Sequence, residues 1–220
     1  VYEHSVGIDL GASTIHVAVI AGPARERASV ADARTFDASD LSSVVTLADG
    51  AAEIAIDAPA ELSTAKHRGD ATISNKFRTA RCGEIALGQQ AKIWVPWVTP
   101  WEPTKVPGWM QVGFDLWRAL REAGHEPLEV YPAGVFTTLA GKRAPKKSTR
   151  AGLRARIDLL EPHVVLPGTI EMWSHDGIDA LGAAVTARQK RAGVAIRIAH
   201  AAPICDGSAI WLPGPEFPQS

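Results

Sequence analysis

The chain has 220 residues, 46% of them hydrophobic and 21% charged, with a formal net charge of −1. A chain of that size buries a full core without disulfides or structural metals, its composition excludes a disordered or fibrous protein, and its near-neutrality excludes a general polyanion binder. Two cysteines, Cys82 and Cys205, with no C-x-x-C pair exclude a disulfide framework and a zinc ribbon. No apolar run approaches the ~18 residues of a membrane span and VYEHSVGIDL lacks the form of a signal peptide. The expectation is a soluble, cytoplasmic, reduced protein with no membrane partner.

In chain order, SVGIDL and STIHVAVIAG predict an antiparallel hairpin turning at Gly11 and Ala12, followed by a third strand near Ser29–Phe36. Asp40 reads as the N-cap of a short helix, DLSSVVTLAD, closed by Gly50. AAEIAIDAP then suits a buried strand stopped by Pro59. Residues 60–108 form an irregular insert. HRGDATISNKFRTARCGEIALG is partly helical, and the prolines of IWVPWVTPWEPTKVPGW forbid a continuous helix. Its four tryptophans (Trp94, Trp97, Trp101, Trp109) either pin the loop to the core or form a rim of rings on which a base could stack. WMQVGFDLWRALREAG is an amphipathic helix ended by Gly124, and PLEVYP is a short strand. Helices follow at Gly134–Leu139 and Thr149–Leu160. HDGIDALGAAVTARQKRAG is the strongest helix, its small residues suited to close packing on a sheet. From Pro203 the tail is extended coil, closing in a short strand, SAIWL. This order, βββαβ–insert–αβ–ααα, describes a single α/β domain over residues 1–220, built on a mixed five-stranded sheet.

Charge is uneven. Lys142, Arg143, Lys146, Lys147, Arg150, Arg154 and Arg156 lie in one stretch without an acid, and without these seven cations the net charge of −1 becomes −8. Such a stretch is either a solvated helix face or an anion-docking surface. Conversely, Asp9, Asp57 and Glu129 each close an apolar strand, where a carboxylate is costly unless paired or bound to a cation. Asp176 and Asp179, spaced i, i+3, share one face of the last helix. In an open α/β sheet the C-terminal strand ends converge on one crevice. Acids gathered there repel one another, and a hard divalent cation with oxygen ligands relieves them. Two such cations activate water and steady the leaving oxygen of a phosphodiester. G-x-S-x-G, H-E-x-x-H and G-x-G-x-x-G motifs are absent.

The order of elements, with Asp on the first strand, an acid ending the fourth and acids on the last helix, resembles the RNase H-like nuclease fold. HDGID is similar to the D-x-x-D of Holliday-junction-resolvase-type members. More closely, VGIDLGASTIHVAV, IAIDAPAEL, HRGD with FRTAR, LREAGHEPLEVYPAG, KKSTRAGLRARIDLL and HDGIDALGAAVTA, closing with IWLP, resemble a widespread bacterial and archaeal family described as predicted RNase H-like nucleases of unknown function. The resemblance implies a metal-dependent hydrolase acting on nucleic acid, with Asp9, Asp57, Glu129, Asp176 and Asp179 catalytic. Asp9, Asp57, Asp176 and Asp179 would hold Mg²⁺ or Mn²⁺, and Arg78, Arg81, Lys146, Lys147 and Arg150 would lie near substrate phosphates. The broader fold also places an acid on the helix after strand three, where this chain has Asp40 and Asp49 at the helix ends. Two other readings stay open: a non-catalytic scaffold on the same fold, and an actin- or sugar-kinase-like phosphoryl-transfer domain, whose phosphate hairpin GIDLGAST resembles.

Overall fold

A computed structural model describes residues 3–23, 26–200 and 205–214. Its centre is a mixed sheet built from β1 (His4–Leu10), β2 (Thr14–Ala21), β3 (Ala28–Asp37), β4 (Glu53–Asp57), β5 (Leu128–Glu129) and β6 (Val164–Val165), in the order β5-β4-β1-β2-β3-β6. β2 runs antiparallel to both β1 and β3, while β4 lies parallel to β1, β5 to β4 and β6 to β3. The five strands read from the sequence for the main sheet are all present, and the short strand in SAIWL forms as well, outside this sheet. The sixth, β6, has two residues, too few for an alternating pattern to reveal. A separate two-stranded sheet pairs β7 (Ile196–Ile198) with β8 (Ile210–Leu212), and a bridge from Trp211 to Val130 ties it to the edge of the main sheet. Of the predicted tail, Pro203 and residues 215–220 lie outside the described residues.

Strand alternation divides the core. Val6, Ile8 and Leu10 of β1 and Ile54 and Ile56 of β4 pack against α1 (Leu41–Ala48) and α3 (Gly108–Glu122), with Val44, Leu116, Trp117 and Leu120 buried between. Asp40 caps α1 by accepting from the Ser43 amide, as its sequence position predicts. The opposite face is covered by α4 (Pro132–Ala140), α5 (Arg150–Leu160) and α6 (His175–Arg191). At Gly7 of β1 a Cβ would collide with the Ala180 carbonyl oxygen and the Ala184 amide. A bare glycine therefore lets α6 lie directly on the strand, with Ala180, Ala183 and Ala184 fully buried beneath it. Gly193 ends α6 at φ +76°, a left-handed conformation that glycine adopts freely.

The insert contains a helical turn, α2 (Cys82–Ile85), which runs on into a wider turn over Ala86–Gln90. It has its own apolar cluster, in which Phe77, Ile85, Leu87, Ile93 and Val95 meet Ile210 and Leu212. Ile93 and Val95 fasten the loop while Trp94 and Trp97 point outward, 65% and 58% exposed. The expectation that the indoles pin the loop is thereby corrected: local alternation gave the inward positions to the aliphatic residues. A second correction concerns the cysteines. Cys82 and Cys205, 123 residues apart, are joined, with their Cα atoms 5.9 Å from each other. The tail folds back over α2, a long-range contact that neither the spacing nor the number of cysteines reveals.

Candidate metal and phosphate site

The sheet register places the first two acids. Asp9 and Asp57 are direct partners at the C-terminal ends of parallel strands β1 and β4. Period-two alternation turns them to the α6 side, together with Ser5 and Gly7 on β1 and with Glu53 and Ala55 on β4. The contacts along α6 follow that face: Glu53 bonds Lys190 near the helix C-terminus at 2.8–2.9 Å, and Ala55 packs on Ala183 and Ala187. One strand-end further, Asp9 and Asp57 meet the first turns of α6. Ser174 caps this helix by accepting from the Gly177 amide, which sets Asp176 and Asp179 in its first two turns. Close packing at Gly7 thus brings four aspartates together.

Two cations bond two of these four acids. Lys147 Nζ donates to Asp176 Oδ1 at 2.9 Å and to Asp179 Oδ2 at 2.8 Å. Arg156, buried over the Phe136 ring, donates to Asp179 Oδ1. Asp176 Oδ1 is also 2.6 Å from His175 Nδ1. Although partial burial works upward on Asp176, its contacts with Lys147 and His175 hold it below the ordinary carboxylate range. Asp9 and Asp57 have no such partners. Burial, and then the charges of Asp57 and Asp179, push Asp9 well above the usual range. Burial raises Asp57 to about 7, with Asp179 adding to the shift and its hydrogen bond with Asp9 opposing it. The nearby charge of Lys147 offsets only part of this shift at the two strand ends. Among the described residues the four aspartates do not form a closed cage of ligand oxygens, since Lys147 bridges two of them.

Glu129 is placed differently. It pairs with Ile56 rather than Asp57, so alternation turns it to the other face. There Arg81 grips both its oxygens, with Arg81 Nη1 to Oε2 at 2.7 Å. Arg81 is 2% exposed and also donates to Thr99 Oγ1, and Glu84 accepts from the Arg81 and Thr99 amides. Arg81 therefore does not reach a surface, and its ion pair with Glu129 fastens the insert to β5. Arg78 is half-buried and donates to the Ile73 carbonyl. Lys146 and Arg150 are exposed, beside exposed Lys142 and Arg143. Asp40 and Asp49 lie at the ends of α1, on the opposite face of the sheet.

A cavity of about 260 Å³ opens beside the acids, lined by Asp9, Asp57, Lys147, Trp97, Trp109 and Tyr131. The Trp97 and Trp109 rings are 5.9 Å apart and tilted at 56°. Three groups escaped the sequence reading. His16 is the cross-strand partner of Asp9, and the hairpin register could have revealed it. Burial holds its imidazole below the ordinary range. His175 is adjacent to Asp176 in sequence, and Tyr131 is the N-cap of α4, two residues after Glu129.

Residues 102–203 match the model of a protein family of unknown function, DUF429. No curated protein matches. Among solved structures, Thermus thermophilus RuvC in complex with a Holliday junction substrate superposes with a TM-score of 0.51 at 18% identity, covering 87% of this chain and 96% of that one. A second structure of Thermus thermophilus RuvC gives 0.48 at 14% identity, covering 86% and 96%. No described helix is long and apolar enough to cross a membrane. The sheet order, the flanking helices and the likeness to the junction-bound structure establish an RNase H-like fold, and residues 102–203 of the chain are similar to a family of unknown function.

Proposed function

We propose that the crevice between β1, β4 and α6 is the active site of a metal-dependent phosphodiesterase acting on nucleic acid. The observation that carries this reading is the in-register pair Asp9 and Asp57, buried and short of positive charge, facing Asp176 and Asp179 across the gap that Gly7 closes. The donors are all carboxylates, the set that suits a hard divalent cation such as Mg²⁺ or Mn²⁺. Asp9, Asp57, Asp176 and Asp179 would hold it. When bound, such an ion supplies an activated water and charge stabilisation at the phosphoryl oxygens.

The chain's own residues supply the rest. Lys147, on the cavity wall, offers its ammonium to a phosphate that enters there. Exposed Lys146 and Arg150, on the same basic stretch, extend this attraction along a polyanion. Trp97, Trp109 and Tyr131 give ring faces against which a base can stack. Arg81 and Glu129 hold the loop that carries Trp97 and act by positioning. The fold likeness to a RuvC structure solved with a Holliday junction is compatible with nucleic acid as the substrate class. The test is a panel of single-stranded, duplex and branched DNA and RNA incubated with Mn²⁺, for wild type and for Asp9→Asn. Cleavage lost in Asp9→Asn, with binding retained, supports the reading. No cleavage of any nucleic acid, or hydrolysis confined to ATP, overturns it in favour of a scaffold or a phosphoryl-transfer domain.

A further inference from the structure

A second cluster of metal-ligand side chains lies outside the crevice. Cys82 at the start of α2, Cys205 and Asp206 bring ligand atoms within 4.8 Å of one another. Buried His67 adds its Nε2 3.3 Å from the Cys82 sulfur, and the His200 ring packs 5.2 Å from the His67 ring. The residues come from three stretches with little regular structure: the loop before Asp70, the start of α2, and the returning tail. Each is already drawn to the others. Lys66 Nζ donates to the Cys205 carbonyl at 3.1 Å, the Cys82 amide donates to Asp206, and the Gly83 amide donates to Ser208 Oγ at 2.9 Å.

We propose that in its thiol form this cluster is a structural Zn²⁺ site, with Cys82, Cys205 and His67 as ligands and the Asp206 carboxylate in the fourth position. Tetrahedral zinc has bonds of about 2.3 Å to sulfur and 2.0–2.1 Å to nitrogen, which sets neighbouring ligand atoms roughly 3.3–3.8 Å apart. The 3.3 Å between His67 Nε2 and Cys82 Sγ is such an edge. Two thiolates and an imidazole select zinc over the hard ions suited to the all-oxygen crevice, so the two sites take different metals. The joined cysteines are the oxidised alternative. A dithiol reductant breaks the sulfur–sulfur bond by passing two electrons and two protons to Cys82 and Cys205, and leaves as its own cyclic disulfide. Zn²⁺ then displaces one proton from each thiol to solvent. The inference goes beyond the crevice and does not depend on what the crevice does.

The test uses the full chain carrying Asp9→Asn and Asp57→Asn, which silences the crevice as a competing metal site without breaking a buried ion pair. The chain is reduced with a dithiol, freed of reductant without air, and titrated with Zn²⁺ and with Co²⁺ in excess Mg²⁺. The expected results are one zinc per chain, a thiolate-to-cobalt charge-transfer band, and protection of both thiols from alkylation by at least about tenfold. Cys205→Ser should abolish uptake. His67→Ala and Asp206→Asn should each weaken it about tenfold or more, the scale of losing a ligand or its orientation. The oxidised chain should take up zinc only after reductant is added. Failure of the reduced chain to bind zinc, or thiols alkylated equally fast with and without it, overturns the site. That result needs no variant in the cluster, so misfolding cannot explain it away.

Discussion

The crevice and the insert both bury carboxylates, and they do so in opposite ways. In the crevice, regular elements place each acid: strand register sets Asp9 beside Asp57, and the helix period sets Asp176 under Asp179. Charge there is left over, because Lys147 and Arg156 serve Asp176 and Asp179 while Asp9 and Asp57 repel one another. Around the insert the backbone is largely irregular, and the acids packed against it have their donors. Glu129 is gripped by Arg81, Glu84 takes the Arg81 and Thr99 amides, and Asp206 takes the Cys82 and Ser208 amides. Satisfied acids hold a loop in place. Unsatisfied ones mark where an outside cation or a reacting group is needed.

The largest effect should separate the two regions by activity. Asp9→Asn should lower nuclease turnover by about a thousandfold, the scale of losing a group that stabilises transition-state charge. Its fold should survive, since one repelling charge is removed, and circular dichroism and melting would verify that. Breaking the insert should do the reverse. Glu129→Gln removes the bidentate partner of the buried Arg81 guanidinium and leaves it only Glu84 at 3.6 Å, which costs up to roughly 3–5 kcal/mol. The double variant Arg81→Leu, Glu129→Leu should recover much of that in urea unfolding, because apolar replacement of both partners is often tolerated. A single variant as stable as wild type would remove the insert's side of the comparison.

Gly7→Ala probes the seam between β1 and α6. Its methyl group must displace the backbone of α6 at Ala180 and Ala184, with an overpacking cost of about 1–3 kcal/mol. Activity should fall more than stability, because a small shift of the helix moves Asp176 and Asp179 away from Asp9. Melting unchanged from wild type would show that α6 is not held where the strand alternation puts it.

Most of the crevice could be read from the sequence because its placement is periodic. Asp9 and Asp57 stand at the ends of recognisable strands, and HDGID opens a helix whose small residues announce close packing. Lys147 and Arg156 were visible as part of a basic run, yet nothing in the run shows that these two turn inward onto Asp179 while Lys146 and Arg150 stay exposed. Glu129 looked like a third strand-end acid. A one-residue difference in register turned it to Arg81 instead, a partner 48 positions away. The insert was the least legible region: its contacts are long-range, polar and aperiodic, as Cys82 with Cys205 illustrates.

The smallest expected effect is a difference in pH response between the regions, measured by thermal melting with a chelator present. Asp9 and Asp57 have folded pKa values above the unfolded value near 3.8, Asp57 at about 7. Between those limits the folded chain binds more protons than the unfolded one, so stability must fall as pH rises from about 4 through about 7. Burial also raises Glu129 despite Arg81, so it shares that sign, whereas Asp70 of the insert and Asp206 of the tail show the reverse. Hydrogen bonds from Thr72 lower Asp70, and those from Ser208 and Cys82, outweighing burial, lower Asp206. Their contribution is full above about 4 and is lost only as pH drops below it. The melting temperature should therefore decline by a few degrees from pH 5 to pH 8, at about 2–4 °C per kcal/mol for a chain of this size. Asp57→Asn should flatten this decline without changing the loss below pH 4. Saturating Mn²⁺ should reverse the decline, because ligands must be deprotonated to bind and the ion stabilises the form it binds. A decline as steep in Asp57→Asn as in wild type would show that Asp57 does not carry the raised protonation at the end of β4.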